Sequence, residues 1–298
     1  MISRTLRPAY PIDLRSTLRP LLRGAGDPTM TLARQEVWRA TRTPDGAATA
    51  HFVARGGEIE VTAWGPGAAF VLDTAPELLG QSDRPEEFVP KHPIIRDLHR
   101  RMMGMRICKS LAVVEALICS VIEQKVTTIE ARRSYHALVK AHSEPAPGPA
   151  GLLLPPAPEV LGKLPYYAYH PLGLERRRAD TIRRVSVWAP KLELAASMPL
   201  QEARHRLTMI PGVGAWTAAE VAMVALGDPD AVSVGDYHLP HQVSWVLAGE
   251  PRGNDDRMLE LLEPYRGQRS RAIRLISASG RQPPRRGHRM PLRSIARI

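Results

Sequence analysis

The segment LTMIPGVGAWTAAEVAMVAL, residues 207–226, constrains this chain more than any other stretch of it. Pro211 stops an incoming helix, because it has no backbone N–H and its ring clashes with the preceding turn. Gly212 and Gly214 then allow a tight reversal, and a helix rich in small residues starts at once. The pattern is a helix-hairpin-helix. Its glycines also suit an anion, since backbone N–H groups in the turn and at the new helix N-terminus approach a phosphate only where no side chain intervenes. The same turn serves elsewhere as a plain interhelical connection, so other residues must decide between the two.

The surrounding chain is long enough to carry such a motif on a substantial core. Its 298 residues, 44% of them hydrophobic, suit one large domain or two ordinary ones. A formal charge of +11 points to a polyanion, nucleic acid or membrane surface, through favourable counterion release. Ten Arg and no Asp or Glu lie between Pro264 and the C-terminus, so this end reads as the electrostatic signature. Its last part, 281–298, is a basic tail whose Pro, Gly and Arg content also suits a disordered end. No run of about 18 apolar residues occurs, and the first residues never form an uninterrupted apolar stretch, which favours a soluble intracellular protein. Cys108 and Cys119 are too few for a disulfide scaffold or a four-cysteine cluster and read as bystanders. No HxxxH or carboxylate cluster argues for a catalytic metal, and no cofactor is expected.

The two ends of the chain differ in period. Residues 38–43 and 47–53 flank a PDG turn, and 58–64 alternates with Ile59, Val61 and Ala63 on one face, predicting a small antiparallel sheet. Leu14, Leu18 and Leu22 keep helical spacing before it. The expected class is α+β: a small α+β domain over 1–90, read as a stabilising appendage without an active-site role, then a mainly helical domain over 91–280. In the latter, Val114, Leu117, Ile118, Val121 and Ile122 mark a buried helix, and a Pro-rich stretch over 144–158 interrupts. Further helices are predicted over 174–192, 199–209, 216–226, 237–247 and 255–276.

Shortly after the hairpin comes VSVGDYHLPHQV, where Asp236 precedes an apolar-periodic helix. An Asp so placed is ordinarily an N-cap. Together, however, PGVGAWTA and VGDYHLP resemble the HhH-GPD superfamily of DNA glycosylases, and within it the AlkA-like bacterial 3-methyladenine DNA glycosylases. ICSVIEQKVT (118–127), LGLERRRADTIRRVS (172–186) and PYRGQRSRA (264–272) match in the same order. The resemblance covers about residues 92–276 and, more loosely, the amino-terminal region, which is similar to the small β domain of those enzymes.

The resemblance implies a monofunctional enzyme that flips an alkylated base out of duplex DNA and hydrolyses its N-glycosidic bond, leaving an abasic site. Gly212, Gly214 and Thr217 would grip phosphate, and Gln124 and Lys125 would enter the minor groove, Lys125 filling the gap left by the base. Asp236 would be the essential carboxylate, stabilising the positive charge that develops on the sugar, with a role toward the attacking water left open. Bifunctional members carry a Schiff-base Lys where this chain has Trp216, so no lyase step is expected, and Trp216 with Tyr237 would form the base pocket. Glu220 and Arg274 stand where related enzymes often present aromatics; Tyr166, Tyr167 and Tyr169 are candidates to compensate, and His238 reads as a structural or phosphate contact. The implied partner is damaged double-stranded DNA, bound by a monomer in a bacterial cytoplasm without membrane association. The competing reading is a non-catalytic hairpin protein that only binds DNA.

Overall fold

The amino-terminal sheet is larger than alternation alone indicates. In the computed structural model, which describes residues 1–284, five strands run Ile2–Leu6 (β1), Met30–Leu32 (β2), Glu36–Thr43 (β3), Gly46–Arg55 (β4) and Glu58–Trp64 (β5). All neighbours are antiparallel, in the order β1-β5-β4-β3-β2. The PDG turn closes β3 on β4 with Thr43 opposite Gly46. The edge strands β1 and β2 were not predicted: β1 is almost wholly exposed and β2 has three residues, so neither shows a buried alternating face. Helices Leu14–Leu18 (α1) and Ala68–Leu78 (α2) flank the sheet, and Leu14, Leu18, Phe52, Val61 and Leu72 meet in its core. The Pro-rich segment lies over the sheet's other face, where Leu152 and Leu154 pack against Ala40 and Trp38.

The rest of the described chain is helical: Pro93–Arg101 (α3), Val113–Glu123 (α4), Thr128–His142 (α5), Pro158–Lys163 (α6), Tyr166–Tyr169 (α7), Arg176–Val187 (α8) and Ala189–Glu193 (α9). Leu200–Thr208 (α10), Ala215–Val221 (α11), Leu239–Ala248 (α12), Asp255–Leu262 (α13) and Arg269–Ala278 (α14) complete it. Two predicted helices are broken. The 174–192 stretch divides at Trp188 because Pro190 fits only the first turn of a new helix. The 255–276 stretch divides after Leu262, where Pro264 sits in a 3₁₀ turn and Gly267 takes φ +88°. Among the described residues no helix is long and apolar enough to cross a membrane.

These helices enclose two separate cores. One gathers α4, α5, α8, α10 and α11 around Leu117, Ile122, Leu138, Ile182, Leu207 and Val221. The other gathers α3 with α12, α13 and α14 around Ile95, Val243, Met258, Leu262 and Ile276. The chain crosses from the first to the second between Ala231 and Val232. Asp236 follows four residues later, at the seam.

The arginines of the C-terminal end correct the charge reading. Arg266 pairs with Glu263 at 2.7 Å, Arg269 with Asp230 at 2.5 Å, and Arg271 forms a buried pair with Asp83. Arg274 is buried and donates to the carbonyls of Arg106, Ser16 and Thr17 at 2.7, 2.7 and 3.1 Å. Arg269, Arg271 and Arg274 are bound by carboxylates and carbonyls of the folded chain, whereas Arg266 is exposed and pairs at the surface. Most of the basic tail, 285–298, lies outside the described residues.

Candidate active site

The hairpin is held in shape by α8 and by the loop after α4. Gly212 has φ +97°, and a Cβ there would stand 2.3 Å from Thr181 Oγ1 on α8, so both conformation and space require glycine. Arg184 Nη1 of the same helix donates to Pro211 O at 3.1 Å. Gly214 caps α11 in an extended conformation, and nothing lies within 4 Å of where its Cβ would be. That face is open, and first-turn N–H groups of a helix have no partner within it. Thr217 is placed differently from its predicted phosphate contact: it is only 2% exposed, and its hydroxyl accepts from Gln124 Nε2 at 2.9 Å. Gln124 Nε2 also donates to Gly212 O at 2.9 Å. Thr217 and Gln124 therefore tie the hairpin to the α4–α5 loop.

Lys125, the next residue, is exposed and has φ +55°, one of two non-glycine residues with positive φ among those described. It stands just past the end of α4, a position glycine usually fills, and an L-residue there costs about 1–2 kcal/mol. Both sides of it are fixed. Arg178 Nη1 caps α4 by donating to Ile122 O at 2.8 Å, and Thr127 opens α5 with a capping box to Glu130.

Across the seam, Asp236 has both carboxylate oxygens engaged. Oδ1 accepts the backbone N–H groups of His238 and Leu239 at 2.7 and 2.8 Å, at the start of α12. Oδ2 accepts the indole N–H of Trp216 at 3.0 Å. The capping role and the candidate site role thus coexist in one side chain: α12 fixes one oxygen, and a half-buried Trp on α11 holds the other. The fold is that of the HhH-GPD-type DNA glycosylases. The 3-methyladenine DNA glycosylase of Archaeoglobus fulgidus superposes with a TM-score of 0.76 at 18% identity, covering 93% of this chain and 98% of that one. The Clostridium acetobutylicum 8-oxoguanine glycosylase/lyase bound to DNA gives 0.70 at 12% identity, covering 92% and 93%. In sequence, the chain is 31% identical over 170 residues to a probable bifunctional transcriptional activator/DNA repair enzyme AlkA of Mycobacterium tuberculosis. That match spans 56% of this chain and only 33% of the relative's length. A putative DNA-3-methyladenine glycosylase of Bacillus subtilis is 27% identical over 117 residues, 37% of this chain and 41% of its own. No protein-family model matches the chain.

Within this glycosylase fold the remaining candidates separate. Tyr237 is 73% exposed, with its ring edge-on to those of His238 and His241, so it stands outside any enclosed pocket wall. Tyr169 is buried and donates to Leu161 O at 2.6 Å, Tyr166 bonds to His170, and Tyr167 is exposed; none of the three joins Trp216 and Asp236. Arg274, as described above, is a buried structural residue. Glu220, by contrast, belongs to the site: one turn after Trp216 on α11, it accepts a short hydrogen bond from Ser233 Oγ. Burial first, then the nearby charges of Glu123 and Asp236, push its carboxyl up to about 7, against the opposing effects of Ser233 and Arg23. The i, i+4 spacing to Trp216 could have placed it there from sequence. Arg23 reaches the same place from the amino-terminal region, where Nη1 bonds Glu123 at 3.2 Å.

Proposed function

We propose that this chain is a monofunctional DNA glycosylase that flips alkylated bases out of duplex DNA and hydrolyses their N-glycosidic bonds, leaving abasic sites. The observation that carries the proposal is Asp236, whose second oxygen is aimed by Trp216 at the seam beside the hairpin. Breaking the glycosidic bond leaves positive charge on the sugar, and a fixed carboxylate in a partly dehydrated cleft stabilises it without reorganising. The open Gly214 face and the exposed arginines Arg176, Arg177 and Arg184 on α8 suit a phosphate backbone, and the contact would not depend on sequence. Lys125 is the candidate to occupy the space vacated by the base, since it is exposed at a rigid loop tip and its stem can fill a stack while its ammonium seeks phosphate. The relatives' names supply the lesion class, N-alkylated purines such as 3-methyladenine. Trp216, already bonded to Asp236, offers no amine for a Schiff base, which supports hydrolysis without strand cleavage.

The test is release of free base from methylated duplex DNA, with and without alkali, by the protein and its Asp236→Asn variant. Base release is expected, strand breaks should need alkali, and the variant should lose on the order of a hundredfold or more while binding abasic-analogue DNA normally. Strand breakage without alkali would assign a lyase step. Tight binding with no release from any methylated base would make the chain a DNA-binding protein only.

A further inference from the structure

Linked to Asp236 is a second carboxyl group that the hydrolysis described so far does not use. Glu220 and Asp236 are joined through one residue: Ser233 donates its hydroxyl to Glu220 Oε1, and its carbonyl accepts the Asp236 N–H at 3.2 Å. They are joined again through α11, where Trp216 bonds Asp236 and Glu220 stands one turn further along. Glu220 is only partly exposed, and its Oε1 accepts from Ser233. The charged groups facing it come from three elements: Glu123 at the end of α4, Asp236 before α12, and Arg23 from the amino-terminal region. Two of the three are acidic and Arg23 is already bonded to Glu123, so a second full negative charge at Glu220 is poorly met.

On the reading of this chain as a glycosylase, we propose that Glu220 is the acid of the site, delivering to a ring nitrogen of an uncharged leaving base a proton that a cationic N-alkylpurine does not need. The step balances simply. The C1′–N bond breaks with its electron pair going to the base, and the Glu220 carboxyl proton moves to a ring nitrogen, so the base departs neutral rather than as an anion. Water forms the new C1′–O bond and loses a proton to solvent, and solvent returns one to Glu220. A cationic alkylpurine needs no such proton, because breaking its bond already neutralises it. Glu220 therefore matters for one substrate charge and not the other.

That asymmetry is the test. Single-turnover release of hypoxanthine and of 7-methylguanine would be measured from matched duplexes across the neutral pH range, with the wild-type protein, Glu220→Gln and Ser233→Ala. Hypoxanthine release by the wild type should fall as pH rises through about 7, since the acid must be protonated to act. In Glu220→Gln it should drop on the order of a hundredfold and lose that pH dependence, and the ratio of 7-methylguanine to hypoxanthine release should rise by a similar factor. The unfolding midpoint of the variant reports that it is folded. Should Glu220→Gln fail to fold, Ser233→Ala takes its place: losing a donor to the carboxylate should move the limb to higher pH. Equal losses on both bases, hypoxanthine release independent of pH, or an unmoved limb in Ser233→Ala would each overturn the role of Glu220. Release of neither base by the wild type would instead overturn the glycosylase reading on which it rests.

Discussion

Around Arg271 and Arg274 the interior sets buried cations against a carboxylate and carbonyls, whereas Asp236 and Glu220 are held by neutral donors, with no ion pair to either among the described residues. Arg271, 1% exposed, bonds Asp83, the Gln268 side chain at 2.9 Å and Met105 O at 3.4 Å. Asp83 in turn accepts the Ile107 N–H at 3.0 Å, and Arg274 spends its donors on three carbonyls. These arginines fasten α14 to the segments before α4 and to α1. At the seam, the donors to Asp236 and Glu220 are backbone N–H groups, an indole and a hydroxyl, and Arg23 is engaged by Glu123. Ion pairs of the first kind hold structure; carboxyl groups held only by neutral donors are candidates for chemistry.

The contrast can be broken by moving the cost from one region to the other. Arg271→Leu should have the largest effect on stability, about 3–5 kcal/mol in denaturant unfolding, because it leaves Asp83 buried without its partner. Base release per folded molecule should not change; if it falls in proportion to the destabilisation, the two regions are not separate. Trp216→Phe keeps a ring but removes the N–H that holds Asp236. About a tenfold loss in excision is expected, with unfolding shifted by less than about 1.5 kcal/mol. Unchanged excision would show that the second oxygen of Asp236 needs no aiming. Lys125→Gly should be the smallest change and of opposite sign, raising stability by about 1 kcal/mol as the left-handed backbone strain is relieved. Affinity for an abasic-analogue duplex should weaken in the same variant, and a gain in stability without that loss would make Lys125 a bystander.

The readable parts of the sequence were those governed by local chemistry. The PDG hairpin, the alternation of β5 and the hairpin at Pro211–Gly214 follow from turn residues and period, and all are found as expected. Asp236 could be singled out because a capping residue and a hairpin stood in a familiar order. What escaped depended on distant partners. Edge strands β1 and β2 take their place from neighbours rather than from a buried face of their own. Thr217 looks like a surface hydroxyl until Gln124, 93 positions away, is brought against it. Arg274 looks like a misplaced aromatic until α1 is packed beside it. Glu220 reads from sequence only as a departure from an aromatic position: its raised carboxyl depends on burial and on Glu123 and Asp236, which only the folded chain assembles.

The bond between Trp216 and Asp236 has one more property. Helix α11 belongs to one hydrophobic core and α12 to the other, so this contact bridges one of the places where the chain passes between them. It is a gauge of the angle between the two halves. If wedging a duplex open pries them apart, the indole loses its acceptor and the carboxylate its aim; if the DNA draws them together, both are tightened. An indole half-exposed beside that carboxylate would then register, in its own emission, whether the two cores have moved.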